Sequence, residues 1–375
     1  MDQRGRLGVL DSMRAIAALG VVCWHFRAYF WVEPLKLILE PFYRNGLVMV
    51  DFFFVLSGFV LARAYWNDER RHDVTSNLRQ RIARLYPLHL VMLILVVAIQ
   101  WATPSNNHIR IGPFHNNDAH NFVLHLMLLQ ASGLQHAGTS FNEPSWSIST
   151  EFLVNIAFLL IITLPRNIAV LSAGLMAATL IAPMSHIGIF STETLFGFLN
   201  GTLARTCIEF FIGTMTYLSY ARYLENRVDK YPATANVLFA ALCVFLGHRF
   251  YTHTMTGYHG DIAVLLIGFP SLIVLTLRSM WAHNFLALRP LIFLGERSYS
   301  IYLVHFPVLL VGMGALDHFK PAIDMSNPLI LISVLSIIVG IASLTYRYIE
   351  VPGKWLLSSR KGIPVAASPT TESPA

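Results

Sequence analysis

The stretch LDSMRAIAALGVVCWHF, residues 10–26, decides how this chain is read, because it sets an arginine and a histidine inside a run that otherwise belongs in lipid. Arg14 and His25 are eleven positions apart. At about 100° and about 1.5 Å per residue, a helix brings them within about 20° of one face and about 16 Å apart along its axis. An arginine near a bilayer centre costs about 2.5 to 3.5 kcal/mol on insertion scales and persists where a partner or a wet cavity receives it. Asp11, three positions before Arg14, is a candidate partner. Two readings follow. Arg14 and Asp11 form an interfacial pair with His25 as a belt residue at the other end, or the shared face lines a reaction chamber. Independent anchors have no reason to align, which favours the chamber.

Composition sets the class. The chain has 375 residues, 55% hydrophobic and 13% charged, with a mean hydropathy of +0.54, whereas an ordinary soluble domain is about 25% charged. An all-α, polytopic membrane protein is expected. Apolar segments of spanning length fall at about 9–30, 46–66, 83–102, 145–164, 168–183, 203–221, 234–250, 261–277, 290–314 and 328–346, which makes about ten transmembrane helices. A shorter apolar piece at about 121–131 reads as a half-helix or interfacial segment. Placing both termini in the cytoplasm leaves seventeen lysines and arginines in inner segments against seven outside, in keeping with the positive-inside rule. The net charge of +6 then needs no nucleic-acid partner; membrane lipid or phosphates suffice.

Cys23, Cys207 and Cys243 sit in apolar runs without metal-ligand spacing and read as packing residues. Arg4 and Arg6 precede an apolar run, yet no small-residue cleavage pattern follows, so this run reads as a retained helix. Residues 1–357 are expected to form one membrane domain. The Ser, Pro and Thr-rich segment 358–375 is expected to be a disordered cytoplasmic tail.

Within the second run, GLVMVDFFFVLSGFVLARAYW (46–66), Asp51 reads as a helix-entry residue near the outer face, and Ser57-Gly58 as a packing pair. The inner loop NDERRHDVTSNLRQRIARLYPLHL (67–90) holds the densest basic cluster. Arg81 and Arg84 share a face if the third helix starts early, and either bind phosphate through guanidinium forks or act as a positive-inside anchor. No glycine-rich phosphate loop accompanies them. The outer loop 103–144 collects His108, His115, His120 and His136 at spacings that fit no metal site, and no metal is expected. It ends in NEPSWSISTEF (142–152), where Ser147 and Glu151 are neighbours on one helix face, and a glutamate inside an apolar run points to a cavity. Arg205 and Glu209 read as a structural ion pair. In GERSYSIYLVHFP (295–307), Ser298, Tyr302 and His305 share a face that is expected to border the same interior as His25. RYIEVPGKW (347–355) carries an inward Glu350 and a helix-stopping Pro352.

Seven pieces in this order, LDSMRAIAALGVVCWHF, GLVMVDFFFVLSGF, RIARLYP, EPSWSISTEF, RTCIEFFIG, LGERSYSIYLVHFP and RYIEVPGKW, resemble the acyltransferase-3 family of bacterial membrane proteins over residues 7–355. The family's arginine and histidine, ten residues between them, fall on Arg14 and His25. Its cytoplasmic arginine pair, implicated in acyl-coenzyme A binding, falls on Arg81 and Arg84. The SWS-x-S-x-E piece falls on Ser145, Trp146, Ser147, Ser149 and Glu151, and the SYS-x-YL-x-H piece on Ser298, Tyr299, Ser300, Tyr302, Leu303 and His305. The resemblance implies transfer of an acyl group, most often acetyl, from acyl-coenzyme A to a hydroxyl of a cell-surface or exported glycan, in the bacterial cytoplasmic membrane. Some members carry an extra esterase-like domain. This chain ends before one, so it is expected to act alone or with a separate extracytoplasmic partner.

The residues suit that chemistry. A hydroxyl acceptor needs a base near neutral pH, for which His25 is the candidate. Arg14, Tyr302 or Ser147 could supply donors for the charge developing on the thioester oxygen, with Asp11 and His305 bordering the cavity. Glu151 either orients His25 or binds the acceptor. A secondary transporter or exporter is the rival class, but it should show internal repeats or paired broken helices, and no convincing repeat is present.

Overall fold

The structure, a computed structural model, describes residues 3–68, 72–102, 116–135, 138–187, 194–195, 199–225, 232–254, 261–319 and 323–358. Its helices are α1 (Gln3–Phe30), α2 (Lys36–Asn45), α3 (Val48–Tyr65), α4 (Val74–Ala102), α5 (Ala119–Leu126), α6 (Trp146–Ile161), α7 (Arg166–Ile187), α8 (Gly201–Tyr223), α9 (Pro232–Thr252), α10 (Asp261–Ala263), α11 (Phe269–Arg278), α12 (Met280–Leu286), α13 (Arg289–Glu296), α14 (Ser298–Phe319), α15 (Pro328–Thr345) and α16 (Val351–Ser358). A two-residue antiparallel pairing, Thr194 with Asn200 and Leu195 with Leu199, precedes α8. The protein is all-α and spans the membrane many times. Among the described residues seven helices are long and apolar enough to cross, and an eighth crossing results if α11 and α12, bent by 87°, count as one. The remaining expected segments, α7 and α8, are helical as well. The tail beyond 358 lies outside the described residues.

Burial separates inner helices from outer ones. In α1 72% of the spanning window is inside the protein, against 22% in α9 and in the α15–α16 helix. α1 is the central post, touching α2, α3, α11, α12, α13 and α14. Outward, Ile94, Leu95, Leu171, Val244, Leu329 and Leu344 are exposed, as helices bathed in hydrocarbon require.

Proline explains two departures from regular helix. The ring of Pro270 would strike the carbonyl of residue 266, and that of Pro352 the carbonyl of 348. Both carbonyls lie in π-turns, Val264–Gly268 and Tyr346–Glu350, whose wider winding admits the ring. Pro352 therefore does not stop the helix, which continues through α16. Nor is the expected helix over 290–314 continuous. It breaks at Arg297, because α13 lies so close along α1 that a Cβ on Gly295 would come within 2.3 Å of the Asp11 carbonyl oxygen.

Near the other end of α1, residues 31–35 turn the chain into α2. Trp31 and Leu35 adopt φ of 58° and 55°, a left-handed conformation that costs a bulky residue about 1 to 3 kcal/mol. Tyr43 holds the turn by donating to the Pro34 carbonyl at 2.6 Å. Hydrogen bonds from Lys36 and Arg27 keep the Glu33 carboxyl below its usual range.

α3 and α8 run parallel and make the closest helix pair. A Cβ on Gly58 would sit 1.8 Å from the Phe210 carbonyl oxygen, and one on Gly213 1.8 Å from that of Val55. Small residues allow this approach. One to two turns away, Asp51 on α3 accepts from Arg205 on α8, and Arg205 Nε reaches Glu209 at 3.1 Å, all three being at most 3% exposed. Asp51 is thus no mere helix-entry residue, and Arg205–Glu209 is two members of an interhelical triad.

Gly58→Ala and Gly213→Ala are each expected to separate α3 from α8. Overpacking typically costs about 1 to 3 kcal/mol, so thermal melting in detergent should drop by several degrees. Unchanged melting would show that the contact tolerates a methyl group.

Candidate active site

α4 begins at Val74, so Arg81 and Arg84 do lie on one helix, three residues apart. Arg84 points into a cavity of about 70 Å³ that is also lined by Arg14 from α1, Ser57 from α3, Ser147 and Glu151 from α6, and Ser298, Tyr299 and Tyr302 from α14. One water needs about 10 to 15 Å³ on this measure, so several fit. Its remaining walls, Val50, Phe53, Phe54, Leu61, Leu85 and Ile148, are apolar, which strengthens every charge inside. A hollow of about 1110 Å³ between α7, α8, α9 and α11 is larger but almost wholly apolar and holds none of the candidate residues.

Local sequence aims these groups. Pro144 opens a short 3-10 turn, Glu143–Ser145, and α6 follows at once, which turns Ser147 and Glu151 to the same side. Glu151 Oε1 accepts from Ser57 at 2.7 Å. The Ser147 and Tyr302 hydroxyls are 2.8 Å apart, and Tyr302 donates to the Pro144 carbonyl at 2.9 Å. Arg14 Nη1 donates to Asp11 Oδ1 at 2.6 Å. Arg81 lies against the Tyr65 ring, 5.8 Å from its centre, with its Nε buried and unpartnered.

A second polar layer lies farther along α1. His25, 3% exposed, meets the fully buried His305, with His25 Nδ1 3.3 Å from His305 Nε2. His25 Nδ1 is also 3.0 Å from the Val21 carbonyl. A carbonyl only accepts, so the hydrogen bond places the proton on Nδ1 and leaves the Nε2 lone pair for a substrate. Tyr29 stacks on His25 with ring centres 5.9 Å apart and donates to Glu143 Oε2 at 2.5 Å.

The structure thus brings Arg14, Arg84, Ser147, Glu151 and Tyr302 to one cavity and pairs His25 with His305. Asp11, Arg81, His25 and His305 are not among the cavity's lining residues. The shared face of Arg14 and His25 holds, but eleven residues of rise put them in different layers, and the α14 face carrying Ser298, Tyr302 and His305 connects the two. Glu151 is bonded to Ser57 rather than to His25. Sequence reasoning missed Tyr29, although its i+4 spacing from His25 is legible. Nothing local signalled Glu143 or the pairing of Asp51 with Arg205. Of the four loop histidines, His108, His115 and His136 lie outside the described residues, while His120 pairs with the Leu134 carbonyl at 3.0 Å. Among the described residues no group of three or more His, Cys, Asp or Glu could hold a metal ion.

A cavity inside the bundle thus holds two arginines, a carboxylate and hydroxyls, with a histidine pair farther along α1 and α14. The acyltransferase-domain profile of the acyltransferase-3 family matches residues 7–347, and the chain belongs to that family. It is a membrane acyltransferase. Acyltransferase MdmB of Streptomyces mycarofaciens is 28% identical over 98% of this chain and 96% of its own length. Peptidoglycan O-acetyltransferase OatA of Listeria monocytogenes is 23% identical over 92% of this chain and 55% of that protein. O-acetyltransferase OatA of Staphylococcus aureus is 24% identical over 92% and 56%. The chain spans about half the length of the two OatA proteins. No solved structure matches.

Glu151→Gln keeps an acceptor for Ser57 but removes the negative charge facing Arg14 and Arg84. One hydrogen bond is typically worth about 1 kcal/mol, so folding should persist while acyl transfer falls at least tenfold. Wild-type transfer would make Glu151 a packing residue.

Proposed function

We propose that this protein is an O-acyltransferase that moves an acyl group, acetyl by default, from acyl-coenzyme A on the cytoplasmic side to a hydroxyl of a glycan or glycan-like acceptor. The observation that carries the reading is the succession from the cavity arginines Arg14 and Arg84, through the Ser147–Tyr302 hydroxyls, to a histidine with a free Nε2 lone pair. Both termini then lie in the cytoplasm, and the host membrane is the bacterial cytoplasmic membrane. OatA is named for O-acetylation, which supports a hydroxyl acceptor.

In this reading Arg81 and Arg84 receive the donor's phosphates through charge-assisted hydrogen bonds. The thioester end reaches toward His25, whose Nε2 takes the proton of the acceptor hydroxyl. The oxygen then attacks the thioester carbon, the carbonyl oxygen gains negative charge, and as the carbonyl re-forms the C–S bond breaks, the leaving thiolate taking the proton back from His25 Nε2 so that coenzyme A departs as its thiol. The Tyr302 and Ser147 hydroxyls, by turning from the Pro144 carbonyl, supply donors to that oxygen. Arg14, about 16 Å from His25 along α1, acts on the body of the donor instead. The product ester leaves on the opposite side, directly or through a separate extracytoplasmic partner.

His25→Ala should abolish transfer in proteoliposomes while coenzyme A binding persists, since removing a general base costs about 10²- to 10⁴-fold. Arg14→Lys should fail as well, because lysine lacks the planar fork. Wild-type rates in both would move the reaction centre elsewhere, and uptake of acceptor without any donor would favour a transporter.

Sidedness has its own measurement. A cysteine introduced at residue 120 should react with an impermeant thiol reagent on intact cells, and one at residue 73 only after permeabilisation. The reverse pattern would place the donor on the wrong side.

A further inference from the structure

The two arginines of α4 are not the only cations at this crevice. α16, reached through the π-turn Tyr346–Glu350, packs along α4, and a Cβ on Gly353 would come within 2.6 Å of the Pro87 ring. That contact fixes the next residue, Lys354, beside the stretch of α4 that carries Arg81 and Arg84. Lys354 lies close enough to Arg84, Arg81 and Glu350 for their charges to act on it. The residue as a whole is exposed.

Three neighbouring cations repel one another, so their crowding calls for an anion. The protein supplies it only in part, with Glu350 the carboxylate acting on Lys354 against three cations. Among the described residues Arg81, Arg84 and Lys354 form no ion pair. Glu350, the nearest carboxylate, is engaged by Ser300, which donates to its Oε2 at 2.7 Å. Asp11 is held by Arg14, and Glu151 by Ser57. The Arg81 Nε is buried without a partner. A ligand with several negative charges, lying across α4 and α16 at these side chains, would satisfy all three.

We infer that Lys354 is a third phosphate-binding cation of the donor site, so that α4 and α16 together hold the polyphosphate end of the nucleotide-containing acyl donor while its body passes the Arg14 cavity toward His25. This inference rests on the donor reading above and adds a residue to it. Arg84 faces the cavity, while Lys354, exposed and one helix farther out, meets phosphate at the rim. A mobile ammonium suits that place, since it needs only a point charge there.

The test is coenzyme A binding to the purified full-length protein by calorimetry at low and at physiological salt, with wild type, Lys354→Gln, Lys354→Arg and Arg84→Gln. Lys354→Gln should lower affinity about tenfold at low salt and flatten its salt dependence, as loss of one exposed charge pair requires. Lys354→Arg should restore both, which a purely structural lysine would not predict. Melting temperature should stay unchanged in both Lys354 variants. If Lys354→Gln binds like wild type while Arg84→Gln does not, the role of Lys354 is overturned and the donor site stands. If neither substitution changes binding, the donor reading fails and that role with it.

Discussion

Hydrocarbon does not hydrate charge, and this one constraint organises the protein. Each ionised group inside the spans has to meet a partner or a cavity. Two solutions are visible. Asp51, Arg205 and Glu209 close on one another between α3 and α8, so that one guanidinium meets both carboxylates and the helices are fixed in register. Arg14 is held on one side by Asp11 and opens on the other into a cavity with Arg84 and Glu151. The first arrangement holds helices together. The second keeps charge available to a ligand.

The same constraint explains the order of the bundle. α1 carries the awkward residues and is therefore surrounded, whereas α9 and α15, free of such groups over most of their length, face lipid. Close glycine contacts at Gly295 on α13 and Gly58 on α3 bring neighbouring backbones together near the cavity. With less room between helices, Ser147 and Tyr302 meet directly, and His25 meets His305. The layered site follows from how tightly α1, α3, α6 and α14 pack.

Layering also suits the chemistry of the family. In the proposed reading, a donor with a charged head and an acyl end needs cations at one end and a base at the other, with little water between. The apolar walls exclude bulk water, and Tyr302 stands between the cation layer and the histidine layer, touching Ser147 below and the His305 ring, 5.8 Å away, above. Tyr29 and Glu143 enclose the far side of His25.

By itself the sequence determined the class, the helical segments and most of the polar residues found inside the bundle, because lipid makes hydropathy and intramembrane charge unusually legible. Arg14 with Asp11, the shared face of Arg14 and His25, and the Ser147–Glu151 pair were all readable from helical spacing. Only tertiary structure decided which of them meet. His25 joins His305 across 280 positions, Arg205 takes Asp51 across 154, and Glu151 goes to Ser57 rather than to His25. It also decided that Pro352 is carried through a π-turn, which sets Lys354 beside α4. Periodicity fixes direction around one helix axis. It says nothing of which neighbour stands in that direction, and that is settled by packing between segments far apart in the chain.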